Sequence, residues 1–392
     1  METSTLKATD FIKGVSGTAH HFGFQRLEDL SEDARCKSCE KVEKPKILVG
    51  QKRIDALQGA LTGGISAYFE HNLHGLKEPA LFYTIDDTPK KDEVTVSLQI
   101  LGIEKSIAES LIIHTIRALF RDLGVTEHTL RINSLGDRES MNRYARELGN
   151  YLRKRIEVMP PAARELMKEH ALVALAHLVE RDHELGLKSP SALEYLNESS
   201  RKHFREIVEY LDLSETPYEI DAKLLGHHQC YSQTIFSFDT FTDESRETRS
   251  PLRASGGRYD EFVFQTTKKN IPAVGAVISL KGQQVPARIP RFKPETPSAF
   301  IVQLGFGPKL RSLMILEELR RAHIPIYQSL ASDSLSGQLE SARSKNVPFT
   351  IILGQKEYVD NSVIVRSMFT SSQESVPVSN LVSYLKRASA RI

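Results

Sequence analysis

The last hundred residues restrict the fold most, because apolar strands alternate there with amphipathic helices. The segments AFIVQLG, PIYQSL, PFTIILG and NSVIVRSM are typical of strands, whereas PKLRSLMILEELRRAHI, SLSGQLESARSKNV and VSNLVSYLKRAS are typical of helices. Such alternation favours a mainly parallel sheet with helices packed on it. We therefore predict a C-terminal α/β domain over residues 298–392.

A proline-rich stretch separates this domain from the rest of the chain. The segment QQVPARIPRFKPETPS contains Pro286, Pro290, Pro294 and Pro297, which predicts a stiff linker over 286–297. From Lys293 to the end there are 12 Lys and Arg against 8 Asp and Glu, a net charge of +4. This charge is compatible with a surface that binds RNA, and equally with an ordinary solvated surface.

Residues 1–285 show mixed helical and strand patterns. The segment SIAESLIIHTIRALFRDLG carries apolar residues at helical steps, and TLRINSL is a predicted strand that turns at Gly136 into a helix capped by Asp137. The chain reads as helical from about Pro160 to Leu213, with Ser189 and Pro190 as a predicted helix start. The segments YEIDAKLL and CYSQTIFSFDTF then alternate like strands.

Composition is that of a soluble globular protein, with 40% hydrophobic residues, 26% charged residues and a net charge of +2. No run of 18 apolar residues and no signal-peptide pattern occurs, so we expect a cytoplasmic protein with no membrane partner. Cys36 and Cys39 have the spacing of half a zinc site. His227, His228 and Cys230 would complete it only if the fold brought them close, and we expect no metal.

Several segments, taken together, identify a family resemblance. In order, these are RINSLGDRES, SALEYLNESSRKHF, PYEIDAKLLGHHQCYSQTIFSF, ASGGRYDEFV with IPAVGAVISL, and SLSGQLESARSKNVPFTIILG. Their order and spacing are similar to those of histidyl-tRNA synthetases. The resemblance implies an α+β class II synthetase-like antiparallel sheet domain at 1–285 with a helical insertion at about 145–217. It also implies an anticodon-binding-type domain at 298–392 that contacts tRNA, and a homodimer.

The chemistry of this family requires cations that hold the phosphates of ATP while histidine attacks. The resemblance implies three arginine positions. The second-motif segment ALFYTIDDTPKKDEVTVSLQILG has no arginine and only Lys90 and Lys91, while Gly226 and Gly282 occupy the other two positions. We therefore assign no catalytic residue, and we expect no cofactor unless synthetase activity survives with Mg²⁺ and ATP. Guanidinium groups supplied around the nucleotide cleft from elsewhere in the chain would contradict this interpretation.

Other family positions have changed too. Gly59 and Leu61 stand where a glutamate and a threonine contact the amino acid, Asp29 replaces a proline of the first motif, and Lys281 lies one residue from the lost arginine at 282. A shift of one residue along a strand turns a side chain to the other face, so Lys281 is a weak substitute.

The segment ASGGRYDEFV remains close to the family pattern. The resemblance implies that Gly256 and Gly257 let the backbone approach the amino acid, and that Tyr259 and Tyr231 line its pocket, with Arg258 beside them. One interpretation is a surviving small-ligand pocket, for histidine or another amino acid. The other is that the glycines, Arg258 and Asp260 hold a tight turn and serve folding alone.

Three hypotheses of function follow. The first is a non-catalytic relative of histidyl-tRNA synthetases that binds tRNA, another RNA or a protein partner. The second is an active but divergent histidine-tRNA ligase. The third is a histidine-sensing regulator like the regulatory subunit of ATP phosphoribosyltransferase, although that relative normally lacks an anticodon-type domain.

Overall fold

The structure is a computed structural model of the 392-residue chain. It describes residues 6–33, 56–70, 73, 79–86, 92–226, 230–242, 245–283, 286, 295–329 and 334–389. None of the helices in these ranges has the length and apolarity that crossing a bilayer requires.

The body of the protein is a large sheet with helices on both faces. Its elements, in chain order, are α1 (Ala8–His21), β1 (Gln25–Arg26), α2 (Leu27–Asp33), α3 (Ala56–Glu70), β2 (Ala80–Asp86), β3 (Glu93–Leu101), α4 (Ile107–Asp122), β4 (His128–Gly136), α5 (Arg138–Arg153), α6 (Pro161–Glu169), α7 (Ala171–Glu180), α8 (Glu184–Leu187), α9 (Glu198–Leu213), β5 (Tyr218–Ile220), β6 (Ser232–Thr240), β7 (Leu252–Arg258), α10 (Asp260–Thr267) and β8 (Ala273–Lys281). Two 3₁₀ turns, Ile156–Val158 and Ala192–Tyr195, lie among the helices that follow β4.

Six antiparallel strands form the centre of this sheet, as the resemblance implied. The strand order is β1-β2-β3-β8-β7-β6-β4-β5, and the pairings from β2 through to β4 are all antiparallel. The short strands β1 and β5 are added in parallel at the two edges. The antiparallel fold with a helical insertion is therefore confirmed for the body.

The two faces of the sheet pack against different helices because side chains alternate along each strand. On the rear face, Val96, Phe236 and Ile278 belong to one apolar core with α1, α4 and α9. On the front face, Ile235 and Val277 belong to a second core with α3 and the helices after β4. This alternation agrees with the strand pattern predicted for CYSQTIFSFDTF, since Ile235 lies in one core and Phe236 and Phe238 lie in the other.

Helices α5 and α9 begin side by side and cap one another. The Asp137 carboxylate accepts hydrogen bonds from the Ser140 backbone N–H at 2.9 Å and from the Asn197 amide at 2.6 Å. Asn197 in turn caps α9 by accepting from the Ser200 backbone N–H at 2.8 Å. The Ser140 and Ser200 hydroxyls accept from the backbone N–H groups of Asn197 and Asp137. The predicted cap at Asp137 is confirmed, and it also holds the start of α9 beside the start of α5.

The predicted helix start at Ser189 and Pro190 is wrong. The Ser189 hydroxyl donates backwards to the Gly186 carbonyl at 2.8 Å, and Lys223 donates to Ser189 at 2.7 and 2.9 Å. The chain is not helical at Pro190, and α9 begins only after Asn197. Local sequence could not show that a distant lysine binds Ser189.

The C-terminal domain contains a five-stranded sheet. Its elements are β9 (Ala299–Gln303), α11 (Phe306–Arg321), β10 (Ile326–Gln328), α12 (Leu335–Ser344), β11 (Phe349–Leu353), α13 (Gln355–Val359), β12 (Ser362–Ser367), β13 (Gln373–Pro377) and α14 (Leu381–Ser389), with a 3₁₀ turn at Val378–Asn380. The strand order is β10-β9-β11-β12-β13.

This sheet is mixed rather than mainly parallel. Strands β10, β9 and β11 pair in parallel, whereas β12 and β13 join as antiparallel strands. The sequence prediction missed β13, whose residues QESVP are mostly polar because the strand lies at the edge and four of the five are exposed. The short turn after β12 permits only a hairpin, and this accounts for the change of direction.

The C-terminal domain docks on the rear helices of the body through α11. Arg121 of α4 donates to Glu317 at 2.7 Å, and Arg320 donates to Asp122 at 2.5 Å. The His21 ring Nε2 lies 3.0 Å from the Leu316 carbonyl oxygen, and the Gln328 amide donates to the Phe22 carbonyl at 2.9 Å. The rear apolar core continues into the C-terminal domain. These contacts fix how the two domains are oriented.

Replacing Asp137 with Ala should destabilise the protein by about 1–2 kcal/mol, because two capped helix N-termini lose a shared acceptor. Urea unfolding followed by circular dichroism measures the change. Asp137→Asn is the matched control, since asparagine is an equally good cap, and it should lose less. Equal losses in the two variants would contradict the capping role.

Lowering the pH should reduce the free energy of unfolding, because two histidines packed inside the folded protein resist protonation. Burial lowers the pKa of His21 from its ordinary 6.5 to about 4, and the pKa of His114 to about 3. As the pH falls, the unfolded chain therefore binds protons at these two histidines before the folded protein does. The stabilising contribution of the neutral histidines is complete above pH 6.5 and is lost as pH falls towards 4. The slope should reach about 1.4 kcal/mol per pH unit for each histidine.

Urea unfolding at several pH values between 7.5 and 4.5 measures this slope. His21→Gln should reduce it by removing one titrating group. His323→Gln, at an exposed histidine in the same part of the C-terminal domain, should leave it unchanged. An unaltered slope in His21→Gln would show that His21 does not contribute.

Candidate functional site

The paired glycines of β7 lie where neighbouring protein atoms leave no room for a side chain. A Cβ on Gly256 would lie 2.3 Å from the Gly275 carbonyl oxygen, and a Cβ on Gly257 would lie 2.6 Å from the Thr234 carbonyl oxygen. These contacts are within the sheet. The glycines are thus required by strand packing, whether or not a ligand binds.

The ring of Tyr231 fills the space between two glycines. A Cβ on Gly226 would lie 2.6 Å from Cδ2 of this ring, and a Cβ on Gly257 would lie 2.8 Å from its Cδ1. Gly226 also has φ of +55°, a conformation that side chains rarely adopt. Tyr231 is 4% exposed. The family's arginine position at 226 is therefore closed to any side chain while this ring stays in place.

Tyr259 is fully buried at the same end of the front face. Its hydroxyl donates to the Gln99 side-chain oxygen at 3.0 Å, and burial raises its pKa well above the ordinary value. Leu61 of α3 packs beside it, since a Cβ on Gly275 would lie 2.8 Å from Leu61 Cδ2 and 3.0 Å from Tyr259 Cε1. The predicted pocket residues Tyr231 and Tyr259 are thus close to the same strands, and apolar Leu61 contributes to the packing at the place where the family has a threonine.

Arg258 points to the rear of the sheet and is 1% exposed. Its Nε and Nη2 atoms donate to the two carboxylate oxygens of Glu109 at 2.8 and 2.7 Å. Further donors reach the carbonyls of Ile103 and Lys105 and the carboxylate of Asp260. This geometry supports the interpretation that Arg258 and Asp260 serve folding.

Burial and neighbouring charges act in opposite directions on the Glu109 carboxylate, which is paired with Arg258. Burial alone would raise the pKa of Glu109, but the charges of Arg258 and His203 lower it to about 2. The His203 ring Nε2 lies 2.7 Å from Glu109 Oε1, so helix α9 joins the pair from the insertion. A guanidinium with these bonds is committed to Glu109 and is not available to a ligand.

A polar cleft of about 400 Å³ opens on the front face at the other end of β7 and β8. Arg249, Arg253 and Lys281 line it, all exposed, and they form no ion pair within the part of the chain that the structure describes. Arg131 also lines it but forms ion pairs with Asp239 and Asp221 at 2.7 and 3.0 Å. Gly282 follows Lys281 directly, and among the residues that the structure describes no atom beyond its chain neighbours lies within 4 Å of where its Cβ would stand.

The two family arginine positions that glycines occupy, 226 and 282, therefore differ in the space available for a side chain. Position 226 is blocked, whereas position 282 has room among the described residues and directly follows Lys281, which lines the cleft with Arg249 and Arg253. Guanidinium groups reach this cleft from β4, from β7 and from the segment before β7, through Arg131, Arg253 and Arg249.

Sequence analysis missed two sets of residues, the Arg258 partner Glu109 on the rear of the sheet and the residues that line the front cleft. Glu109 sits in the apolar stripe IAESLIIH, where a lone carboxylate signals a buried ion pair. Arg253 and Ser255 occupy alternate positions before Gly257, a pattern that places them on its face of the strand. Both signals were available without coordinates.

Other predicted residues lie outside the described part of the chain. They are Cys36, Cys39, Lys90, Lys91, His227 and His228. Cys230 is buried, and the described residues contain no group of three or more His, Cys, Asp or Glu side chains arranged to hold a metal ion. The zinc hypothesis therefore stays untested.

The two glycines at family arginine positions provide a matched pair for mutation. Gly226→Ala should destabilise the protein more than Gly282→Ala, by about 1–3 kcal/mol. Both have positive φ, +55° and +76°, so backbone strain is common to both and the added effect at 226 comes from the Tyr231 ring. Thermal or urea unfolding measures the difference. Equal destabilisation would show that the ring moves aside easily.

Comparison with known proteins agrees with this architecture. A family model described as an anticodon binding domain matches residues 305–388. The histidine-tRNA ligase of Fervidobacterium nodosum is 30% identical over 296 residues, which cover 74% of this chain and 68% of that protein. The ligase of Geobacillus sp. (strain WCH70) is 27% identical over 302 residues, covering 75% of this chain and 70% of the relative. The apo histidyl-tRNA synthetase structure from S. aureus aligns over 83% of this chain and 82% of that one, with 21% identity and a TM-score of 0.45. The chain belongs to the histidyl-tRNA synthetase family of class II aminoacyl-tRNA synthetases.

Proposed function

We propose that this protein is a non-catalytic member of its family that binds tRNA through the C-terminal domain. One observation carries the proposal. Gly226, at the position of the histidine-specific arginine, is pressed against the buried Tyr231 ring in a conformation that excludes a side chain.

The loss of this arginine matters because of how the reaction is accelerated. As an amino acid attacks the α-phosphate of ATP, negative charge must be held by fixed donors. Removing one such contact typically raises the barrier by about 3–4 kcal/mol. Arg258, which directly precedes the predicted pocket residue Tyr259, is bound to Glu109. The surviving ASGGRYDEFV segment therefore supports folding in this proposal and takes no part in chemistry.

The RNA-binding part of the proposal is supported by features of the C-terminal domain. Its residues 305–388 match a model of anticodon-binding domains. Its helix α11 packs against α4 of the body. A basic net charge is also suited to a phosphate backbone.

A second candidate function is an active, divergent histidine-tRNA ligase. Arg249, Arg253 and Lys281 around the front cleft favour it, because these cations lie beside the open position 282. Exposed, separately anchored cations hold a triphosphate less firmly than forks fixed by packing, since positioned donors provide most of the stabilisation. The cleft therefore supports binding of a phosphate-bearing ligand better than it supports catalysis.

Pyrophosphate exchange separates the two candidates. We expect purified protein to show no histidine-dependent exchange of pyrophosphate into ATP, because position 226 cannot supply its arginine. The variant Gly282→Arg restores an arginine at position 282, where the described residues leave room. It should also show no pyrophosphate exchange. An active histidyl-tRNA synthetase assayed in parallel provides the positive control. Clear histidine-dependent exchange by the wild type would establish the ligase and end this proposal.

Binding of tRNA is tested on the same preparation by a shift assay at two salt concentrations. A surface that contacts phosphates must bind more weakly as salt rises. Binding that is unchanged by salt, or no binding at the lower salt concentration, would contradict the RNA part of the proposal. The expected homodimer is checked by light scattering on the same sample.

Histidine sensing is the remaining alternative from the sequence. It needs room beside Tyr231 and Tyr259, where the ring of Tyr231 now packs against two glycines. Calorimetry with free histidine tests it directly. No heat at millimolar histidine would exclude a useful sensor.

A further inference from the structure

We infer that a cavity between α1 and the C-terminal domain binds a free aliphatic amino acid, whose ammonium is held by Asp122 and Glu295 and whose carboxylate is held by Lys13. The cavity has a volume of about 300 Å³ and lies where the two domains meet. This volume is at the small end of the range for ligand sites, which often lie between domains. The inference is independent of the proposed tRNA binding and of the pocket predicted beside Tyr231 and Tyr259.

One stripe of α1 forms the first wall of the cavity. Residues three and four apart lie on the same face of a helix, and Lys13, Gly17 and His21 line the cavity with this spacing. The opposite stripe of α1, which includes Phe11 and Val15, packs into the rear core. The cavity is therefore formed by the face of α1 that the core leaves free.

The turn that leads from α11 into β10 forms the opposite wall. Ile324, Pro325 and Ile326 line it and offer apolar contact to an aliphatic side chain. The Ile324 N–H donates to the Leu319 carbonyl at 2.9 Å, and the Ser298 N–H donates to the Pro325 carbonyl at 2.8 Å. Because these bonds order the turn in the free protein, less entropy is lost when a ligand binds.

Asp122, the last residue of α4, provides an acceptor for an ammonium group. Its Oδ2 atom accepts from the Thr18 hydroxyl at 2.9 Å and from Arg320 at 2.5 Å. Its Oδ1 atom accepts no hydrogen bond within the part of the chain that the structure describes, and the side chain is 34% exposed. Arg320 also donates to Glu317 at 2.7 Å, so it positions Asp122 and is not available to the ligand.

Lys13 and Glu295 provide the other two charged groups of the site. Both side chains are exposed and line the cavity. Neither forms a hydrogen bond or an ion pair with any other residue that the structure describes. Their charges are therefore available to a ligand from opposite sides, Lys13 from α1 and Glu295 from the segment before β9.

The balance of charge favours a ligand that carries both signs. The cavity has two cations, Lys13 and Arg320, against two carboxylates, Asp122 and Glu295. His21 adds no charge near neutral pH, because burial lowers its pKa to about 4. A simple anion or a simple cation would leave one pair of these charges facing a group of the same sign, whereas a zwitterion matches both.

The spacing of the charged groups fits an α-amino acid. Thr18, whose hydroxyl binds Asp122, is five residues from Lys13 on α1, which is about 7.5 Å along the helix axis. A zwitterion whose ammonium and carboxylate each meet a partner at about 2.8 Å spans a comparable length. One small molecule can therefore contact Asp122 and Lys13 together.

The test is isothermal titration calorimetry of the full-length chain with L-leucine, supported by thermal unfolding in the presence of the same ligand. We expect leucine at millimolar concentration to release or absorb heat and to raise the unfolding temperature, since it binds only the folded protein. The analogues 4-methylpentanoate, without the ammonium, and 3-methylbutylamine, without the carboxylate, should each bind about tenfold more weakly or worse.

Two variants remove the charged groups one at a time. Lys13→Ala and Glu295→Gln should each weaken leucine binding about tenfold, because each loses a charge-assisted hydrogen bond. Both side chains are exposed, so circular dichroism should show an unchanged fold. Lys7→Ala and Glu340→Gln are matched controls at exposed positions outside the cavity, and they should bind leucine like the wild type.

Three results would overturn the inference. If leucine, isoleucine and valine at millimolar concentration give neither heat nor a higher unfolding temperature, the cavity binds no aliphatic amino acid. Wild-type affinity in both Lys13→Ala and Glu295→Gln would place the bound leucine elsewhere, for example beside Tyr259. Equal affinity for leucine and 4-methylpentanoate would exclude an ammonium site at Asp122.

Discussion

The buried ion pair between Arg258 and Glu109 holds the architecture of the body together. It joins the end of β7 to helix α4, and His203 adds the insertion helix α9 to the same carboxylate. Removing either charge would leave the other buried and unpaired, which is far more unfavourable than losing a surface contact. Because β7 is fixed in this way, Tyr259, the next residue, is directed into the front core, where it meets Gln99.

The persistence of ASGGRYDEFV in a chain without the family arginines has a physical explanation in these contacts. Gly256 and Gly257 are required by the carbonyls and rings of adjacent strands, and Arg258 is required by Glu109. A segment required by packing persists whether or not it takes part in chemistry. Similarity of fold and motif therefore does not by itself establish activity, and the site itself has to be assessed residue by residue.

Charged and apolar contacts connect the two domains. Glu317 accepts from Arg121 of the body and from Arg320 of its own helix, while the rear core runs through the interface. The front cleft is lined by residues of the body alone.

Hydrophobic periodicity by itself determined the main elements: helix α4, strand β4 with the Asp137 cap, and the alternating elements of the C-terminal domain. These depend on neighbours within a few residues, so the sequence contains the information. Family motifs likewise identified the glycines at 226 and 282. Only the tertiary structure decided that Ser189 binds Lys223 instead of starting a helix, that β12 and β13 join the C-terminal sheet as antiparallel strands, and that Tyr231 closes position 226 while the described residues leave position 282 open. Each of these depends on atoms brought together from distant parts of the chain, which no local pattern records.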